Sequence, residues 1–223
     1  MVYFRKSFAN QRQENYEKFN KFFESVSYFD ELCKVNSNAQ ELSQEYSFYV
    51  AKGGSMGGCD KRIVEIFFGK RPIDQVKVLN LEEEGYPIPY LKSIVERGAC
   101  LRYERLDNGL VFCSLYPAET ENLKQEENMV IIGVFTLNDK YIRRMMRRHF
   151  KYLIAYMRCT STEGVANIWE KILVCYLRYV KKLSIDNKVG NRKCHDTLNW
   201  IGKIVLSVGF SGFMLKLVEL YFS

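Results

Sequence analysis

The residues of this chain whose types and spacing could do chemistry are an arginine and a histidine in one basic stretch. Arg144 and His149 form an R-x4-H pattern within the run RRMMRRH at 143–149. A histidine can exchange the proton of a ribose 2′-hydroxyl or of a leaving oxygen. An arginine can hold the scissile phosphate and the charge that develops on it. One hypothesis is therefore a metal-independent ribonuclease site.

Helix geometry limits how such a site could be assembled. Five residues along a regular helix correspond to a rotation of about 140°, so Arg144 and His149 do not share a face. The other histidine, His195, follows Arg192 by only three residues, so no second pair has this spacing. A catalytic site would consequently need a second copy of the chain.

The same basic stretch supports other hypotheses. A dense group of cations is typical of a solvated helix face, of a surface that contacts anionic lipid, and of one that captures RNA phosphates. Further cations precede the C-terminal segment and could join this surface. The candidate anion-contacting residues are Arg143, Arg147, Arg148, Lys181 and Lys182.

Composition predicts a folded chain with an anionic partner. Of the 223 residues, 47% are hydrophobic and 14% are aromatic, which is enough for a core and excludes a disordered profile. A net charge of +7 suits nucleic acid or a lipid surface. The seven cysteines form no C-x-x-C motif and there are two histidines, so we expect no metal site and no cofactor. Without a secretory signal, the cysteines indicate a cytosolic body.

The spacing of apolar residues predicts the elements that position these groups. Aromatic side chains recur at helical spacing within 7–45, which indicates an N-terminal helical region. The glycine-rich stretch 53–58 is interpreted as a connection, because no Gly-Lys-Ser/Thr follows it as in a phosphate-binding loop. Alternating residues on either side of Asn108-Gly109, followed by 129–135, predict a small antiparallel meander of three strands. Helices are expected from Asn138 to Cys159 and over 165–183.

The terminal segment 198–223 is predicted to be a membrane helix. Residues 201–222 would measure about 33 Å as a helix, enough to cross the apolar core of a bilayer. Small and polar residues recur there on a 3-4-3-4-3 spacing, which favours packing against further copies of the chain. One alternative is that this stripe forms the interface of a dimer. The other is that the terminal helix packs on a soluble core. The residues of this stripe are Gly202, Val205, Gly209, Gly212, Lys216 and Glu219.

These predictions combine into one architecture. The fold class is α+β, with an N-terminal helical region, a small antiparallel meander and C-terminal helices that end in the membrane helix. Residues 1–197 form the cytosolic domain and 198–223 the transmembrane and oligomerisation helix. Basic residues before that helix keep the main domain in the cytosol, on the inner membrane.

The combination of a small basic chain, an R-x4-H pattern at Arg144 and His149, and one membrane segment resembles the small accessory membrane proteins of type VI-B CRISPR loci. The resemblance implies a HEPN-like motif and a homo-oligomeric pore. It also implies an antiviral effector that depolarises the membrane after an RNA-guided nuclease recognises its target. The expected partners are further copies of the chain, membrane lipids, and that nuclease or RNA. A HEPN-like ribonuclease and a soluble RNA- or protein-binding module are the alternatives.

Overall fold

Three short helices built around large aromatic side chains begin the fold. A computed structural model describes residues 8–55, 58, 60–80, 88–185 and 188–190. The helical region predicted over 7–45 is present as α1 (Phe8–Ser25), α2 (Tyr28–Val35) and α3 (Ser37–Tyr46). Phe19, Phe22 and Phe29 are fully buried. Asn36 separates α2 from α3, because its side chain accepts a hydrogen bond from the Ala39 backbone N–H and caps α3.

The described strands form two antiparallel sheets, which confirms the α+β class. A seven-stranded sheet has the order β1-β2-β5-β6-β7-β8-β9, and β3 and β4 form a separate two-stranded ribbon. The strands are β1 (Phe48–Lys52), β2 (Ile63–Phe68), β3 (Lys70–Asn80), β4 (Ile88–Arg97), β5 (Cys100–Arg105), β6 (Val111–Tyr116), β7 (Met129–Phe135), β8 (Lys182–Ile185) and β9 (Lys188–Gly190).

The predicted three-stranded meander is the centre of this larger sheet. Its strands are β5, β6 and β7, and the turn through Asn108-Gly109 joins the first two, with Gly109 at φ +81°. The prediction missed the ribbon, where Pro72 lies beside a register shift. Proline is tolerated there because each strand of an isolated ribbon has one free edge.

Two helices after the meander cover one face of the large sheet. A short 3-10 turn (Asp139–Tyr141), capped by Asn138, leads into α4 (Ile142–Thr160), and α5 (Ile168–Val180) follows a loop. The helix α5 ends at Val180, whereas the prediction extended it to residue 183. It ends there because the backbone of Lys181 is extended and Leu183 pairs with Val130 of β7. That pairing buries Leu183 in the core.

The predicted membrane helix lies outside the described residues. No helix among the described residues combines the length and hydropathy that a bilayer crossing requires. The segment 198–223 is not among them. The same holds for the predicted stripe of Gly202, Val205, Gly209, Gly212, Lys216 and Glu219.

A buried carboxylate attaches the ribbon to the helices. Glu96 of β4 is 1% exposed and accepts hydrogen bonds from the Tyr46 hydroxyl at 2.6 Å and from the backbone N–H of Thr162 at 2.6 Å. Arg71 of β3 lies over the Tyr46 ring and forms an ion pair with Glu163 at 2.8 Å. The network therefore joins α3, the ribbon and the loop between α4 and α5.

We expect Glu96→Ala to lower the free energy of unfolding by about 3 kcal/mol, because it leaves the buried partners of this carboxylate without an acceptor. Urea denaturation of the full chain measures this change. Glu121→Ala is the matched control, since Glu121 forms an exposed ion pair with Lys92 on the same ribbon. Its loss should cost less than about 1 kcal/mol. Equal effects of the two variants would contradict the structural role of Glu96.

Candidate functional site

The histidine of the R-x4-H pattern lies in the hydrophobic core. His149 is 1% exposed, and a hydrogen bond of 2.9 Å joins its Nδ1 to the Tyr103 hydroxyl of β5. Its ring stacks on those of Tyr103 and Tyr152, with centroids 5.8 and 5.9 Å away. The Nε2 atom is buried and has no hydrogen-bond partner in the described part of the chain.

This environment keeps the imidazole neutral. Burial, helped by the nearby cations Arg148 and Lys181, lowers the pKa of His149 to about 3. Arg144 is exposed on the other side of α4. A single chain therefore does not bring Arg144 and His149 together, and His149 is not accessible to a substrate.

The lowered pKa predicts a specific pH dependence of stability. The unfolded chain takes up a proton at His149 near its ordinary pKa of 6.5, whereas the native state does so only near 3. Its contribution to stability is therefore complete above pH 6.5 and is lost as the pH falls from 6.5 toward 3. At pH 5 the loss should be about 2 kcal/mol.

Comparison with His149→Gln isolates this contribution, because carboxylates also titrate in that range. The difference in unfolding free energy between pH 7.5 and pH 5 should be about 2 kcal/mol smaller in the variant, measured by urea denaturation. The amide can still accept a hydrogen bond from Tyr103, so the variant should fold. An unchanged pH dependence would show that His149 is not held neutral by burial.

The remaining cations of the stretch form an exposed surface, which we call the α4 basic face. Its members project from the side of α4 that points away from the sheet, because Met146, His149 and Phe150 occupy the side that packs on it. No carboxylate of the described residues lies within ion-pair distance of this face. Its members are Arg143, Arg144, Arg147, Arg148 and Lys151.

The other two predicted anion contacts lie beyond the end of α5. Lys181 is half-exposed and close enough to His149 to lower the pKa of that residue. Lys182 is exposed on β8, in register with Ile131 of β7. Lys181 therefore lies at the end of α5, while Lys182 belongs to the sheet.

The helix α5 is apolar on both sides: Val174 and Leu177 are buried, and a second set of large apolar residues is exposed. We call the exposed side the α5 apolar face, and no charged residue lies within it. Trp169 is 79% exposed and Ile168 is 73% exposed, although large apolar residues normally lie inside a protein. The members of this face are Ile168, Trp169, Ile172, Tyr176, Tyr179 and Val180.

Two charged residues of α5, Glu170 and Arg178, have specific polar partners on the inward side of the helix. Glu170 is 9% exposed, accepts a hydrogen bond from the Asn38 amide at 3.1 Å and lies 3.5 Å from the Arg158 guanidinium. Arg178 donates a hydrogen bond of 2.5 Å to Glu127, which is 1% exposed. The Tyr156 hydroxyl donates a second hydrogen bond to Glu127 at 2.8 Å. These contacts, together with the buried side chains of Val174 and Leu177, fix which side of α5 faces inward.

Sequence reasoning identified α5 as a helix but missed its orientation. The sequence gives no clear signal, because Val174 and Leu177 share a side of the helical projection with Glu170 and Arg178, and large apolar residues also occupy the opposite side. Which side faces inward depends on the partners Glu127 and Arg158, which are distant in the chain. The pattern by itself does not show that these partners are buried.

A comparison with known proteins found no matching family model, no similar curated protein and no similar solved structure. The case for a function consequently depends on the chain's own residues. The two exposed faces of α4 and α5 are the features that carry it.

Proposed function

We propose that this protein is a membrane-associated effector whose folded body lies against a lipid surface through α5. The observation that carries the proposal is the α5 apolar face, which is exposed although its members are large apolar residues and the opposite side of the same helix is already packed in the core. A contiguous exposed apolar surface of this kind marks a site of interaction with a protein or a membrane.

The residue types favour a lipid surface. Trp169, Tyr176 and Tyr179 are the side chains that concentrate at membrane–water interfaces, where an apolar ring and a polar atom are both accommodated. The aliphatic side chains of Ile168 and Ile172 lie between them and suit the acyl-chain boundary. Cations are exposed on α4, which packs against α5, and helices that rest in the plane of a membrane combine cations and apolar residues in the same way.

The biological setting is proposed from the sequence. The predicted membrane helix 198–223 and its small-residue stripe support an anchored homo-oligomer, with the main domain on the cytosolic side of the inner membrane. The resemblance to accessory membrane proteins of type VI-B CRISPR loci supports an antiviral role. In that role the oligomer forms a pore and depolarises the membrane once an RNA-guided nuclease has recognised its target.

The ribonuclease alternative draws no support from the geometry of one chain. Its histidine is buried and hydrogen-bonded to Tyr103, and its arginine points to solvent on the other side of the helix. General acid–base catalysis requires that the group reach the proton that it transfers. The basic face of α4 remains compatible with RNA binding, which is a different activity.

Tryptophan fluorescence of the full chain tests whether α5 lies in the membrane. The chain has two tryptophans, so Trp200→Phe leaves Trp169 as the reporter. In vesicles that contain lipids brominated near the top of the acyl chain, we expect the Trp169 emission to shift to the blue and to be quenched several-fold. This readout is specific to α5, and it does not depend on whether the terminal segment is inserted.

The control protein carries its single tryptophan on the ribbon instead of on α5. Leu91 is an exposed apolar residue of β4, so Leu91→Trp combined with Trp169→Phe and Trp200→Phe places one tryptophan away from α5. This tryptophan should stay in water and be quenched little. Quenching of Trp169 no stronger than that of the ribbon tryptophan would refute membrane contact through α5.

A further inference from the structure

The α4 basic face carries positive charge that the described residues leave unneutralised. Three of its pairs have the i,i+4 spacing, namely Arg143 with Arg147, Arg144 with Arg148, and Arg147 with Lys151. Like charges at this spacing repel each other on a helix and destabilise it. The five cations extend over about 12 Å along the helix axis. Their accumulation without an ion-pair partner among the described residues makes this face a candidate site for an anion outside the chain.

The α4 basic face and the α5 apolar face lie on two helices that pack against each other. The Arg158 guanidinium of α4 lies 3.5 Å from Glu170 of α5. The guanidinium carbon of Arg178 of α5 lies 5.9 Å from the ring centroid of Tyr156 of α4. Exposed cations and an exposed apolar surface are therefore carried by one pair of packed helices.

We infer that the α4 basic face binds the phosphate groups of anionic phospholipids and thereby directs the α5 apolar face to anionic membranes. This inference rests on the proposed function, because it takes α5 to lie against lipid. Guanidinium groups donate paired hydrogen bonds to phosphate oxygens. A bilayer presents its phosphates directly above the acyl chains, so cations beside an apolar face match it in both chemistry and arrangement.

The surroundings of the basic face favour lipid over RNA. Sites for single-stranded RNA combine cations with exposed aromatic rings on which the bases stack. Beside this face, the ring of Tyr28 is covered by Arg143, whose guanidinium carbon lies 5.4 Å from the ring centroid, and Tyr152 is half-buried. The exposed surface of α5, which packs against α4, includes Ile168 and Ile172, whose aliphatic chains suit acyl chains better than bases.

The test compares two variants of equal net charge, each made in the full chain with Trp200→Phe. Arg144→Gln with Arg147→Gln removes two cations from the α4 basic face. Lys70→Gln with Lys77→Gln removes two exposed cations from the ribbon. Both changes lower the net charge from +7 to +5. A difference between the variants therefore reports the position of the charges and not their number.

The measurement is the quenching of Trp169 in vesicles of phosphatidylcholine, with and without phosphatidylglycerol. Addition of phosphatidylglycerol should strengthen the contact of α5 with the membrane in the parent chain. The α4 variant should weaken that contact about 25-fold, or about fivefold for each charge removed. The ribbon variant should stay within twofold of the parent. In pure phosphatidylcholine the three proteins should behave alike.

Salt titration of the parent chain provides a second measurement that needs no variant. Quenching in vesicles with phosphatidylglycerol should decrease as salt is added, whereas quenching in pure phosphatidylcholine should not. Insensitivity to salt in both vesicles would overturn the inference even if the α4 variant failed to fold. Salt sensitivity confined to the anionic vesicles would support it.

The possible results distinguish a failure of this inference from a failure of the proposed function on which it rests. Quenching of Trp169 that is equal in both vesicle types and in all three proteins would overturn anionic-lipid recognition and leave membrane contact intact. Absence of quenching under every condition would refute both. An α4 variant that loses affinity for a labelled RNA oligonucleotide, but responds to phosphatidylglycerol like the parent, would assign the face to RNA instead.

Discussion

The contact between Tyr103 and His149 determines how α4 lies on the sheet. The hydrogen bond of 2.9 Å and the stacked rings place His149 against the centre of β5, and Met146, Phe150 and Leu153 follow it into the core. Because successive helix residues are separated by about 100°, this one anchored position decides where every other side chain of α4 points. The arginines of the stretch consequently face outward.

The position of α5 depends on α4 and on a second set of polar contacts. The helix packs on α4 and on β7 and β8, but its buried side includes Glu170 and Arg178 as well as Val174 and Leu177. The carboxylate of Glu127 connects Arg178 with Tyr156 of α4, so the two helices share one buried network. This network therefore fixes the position of the α5 apolar face relative to the α4 basic face.

Local patterns sufficed for part of the fold. The aromatic spacing of 7–45, the Asn108-Gly109 turn and the Asn138 cap each act over a few residues, and the structure shows the corresponding elements. The ribbon and β8 depend on pairing between distant segments, such as Leu183 with Val130, which no local pattern encodes. For the site, the basic residues of α4 were recognised from the sequence, whereas burial of His149 follows from Tyr103, a residue of another element.

The exposed side of α5 is the strongest argument that the folded chain contacts something outside itself. The inward side of this helix already packs Val174 and Leu177 in the core, while Trp169 and Ile168 on the opposite side forgo the stabilisation of burial. A helix that is apolar on both sides is normally enclosed, so an environment that covers the outward side accounts for its composition. A lipid surface is the environment that we propose, because it covers apolar side chains and also accepts the cations exposed on α4.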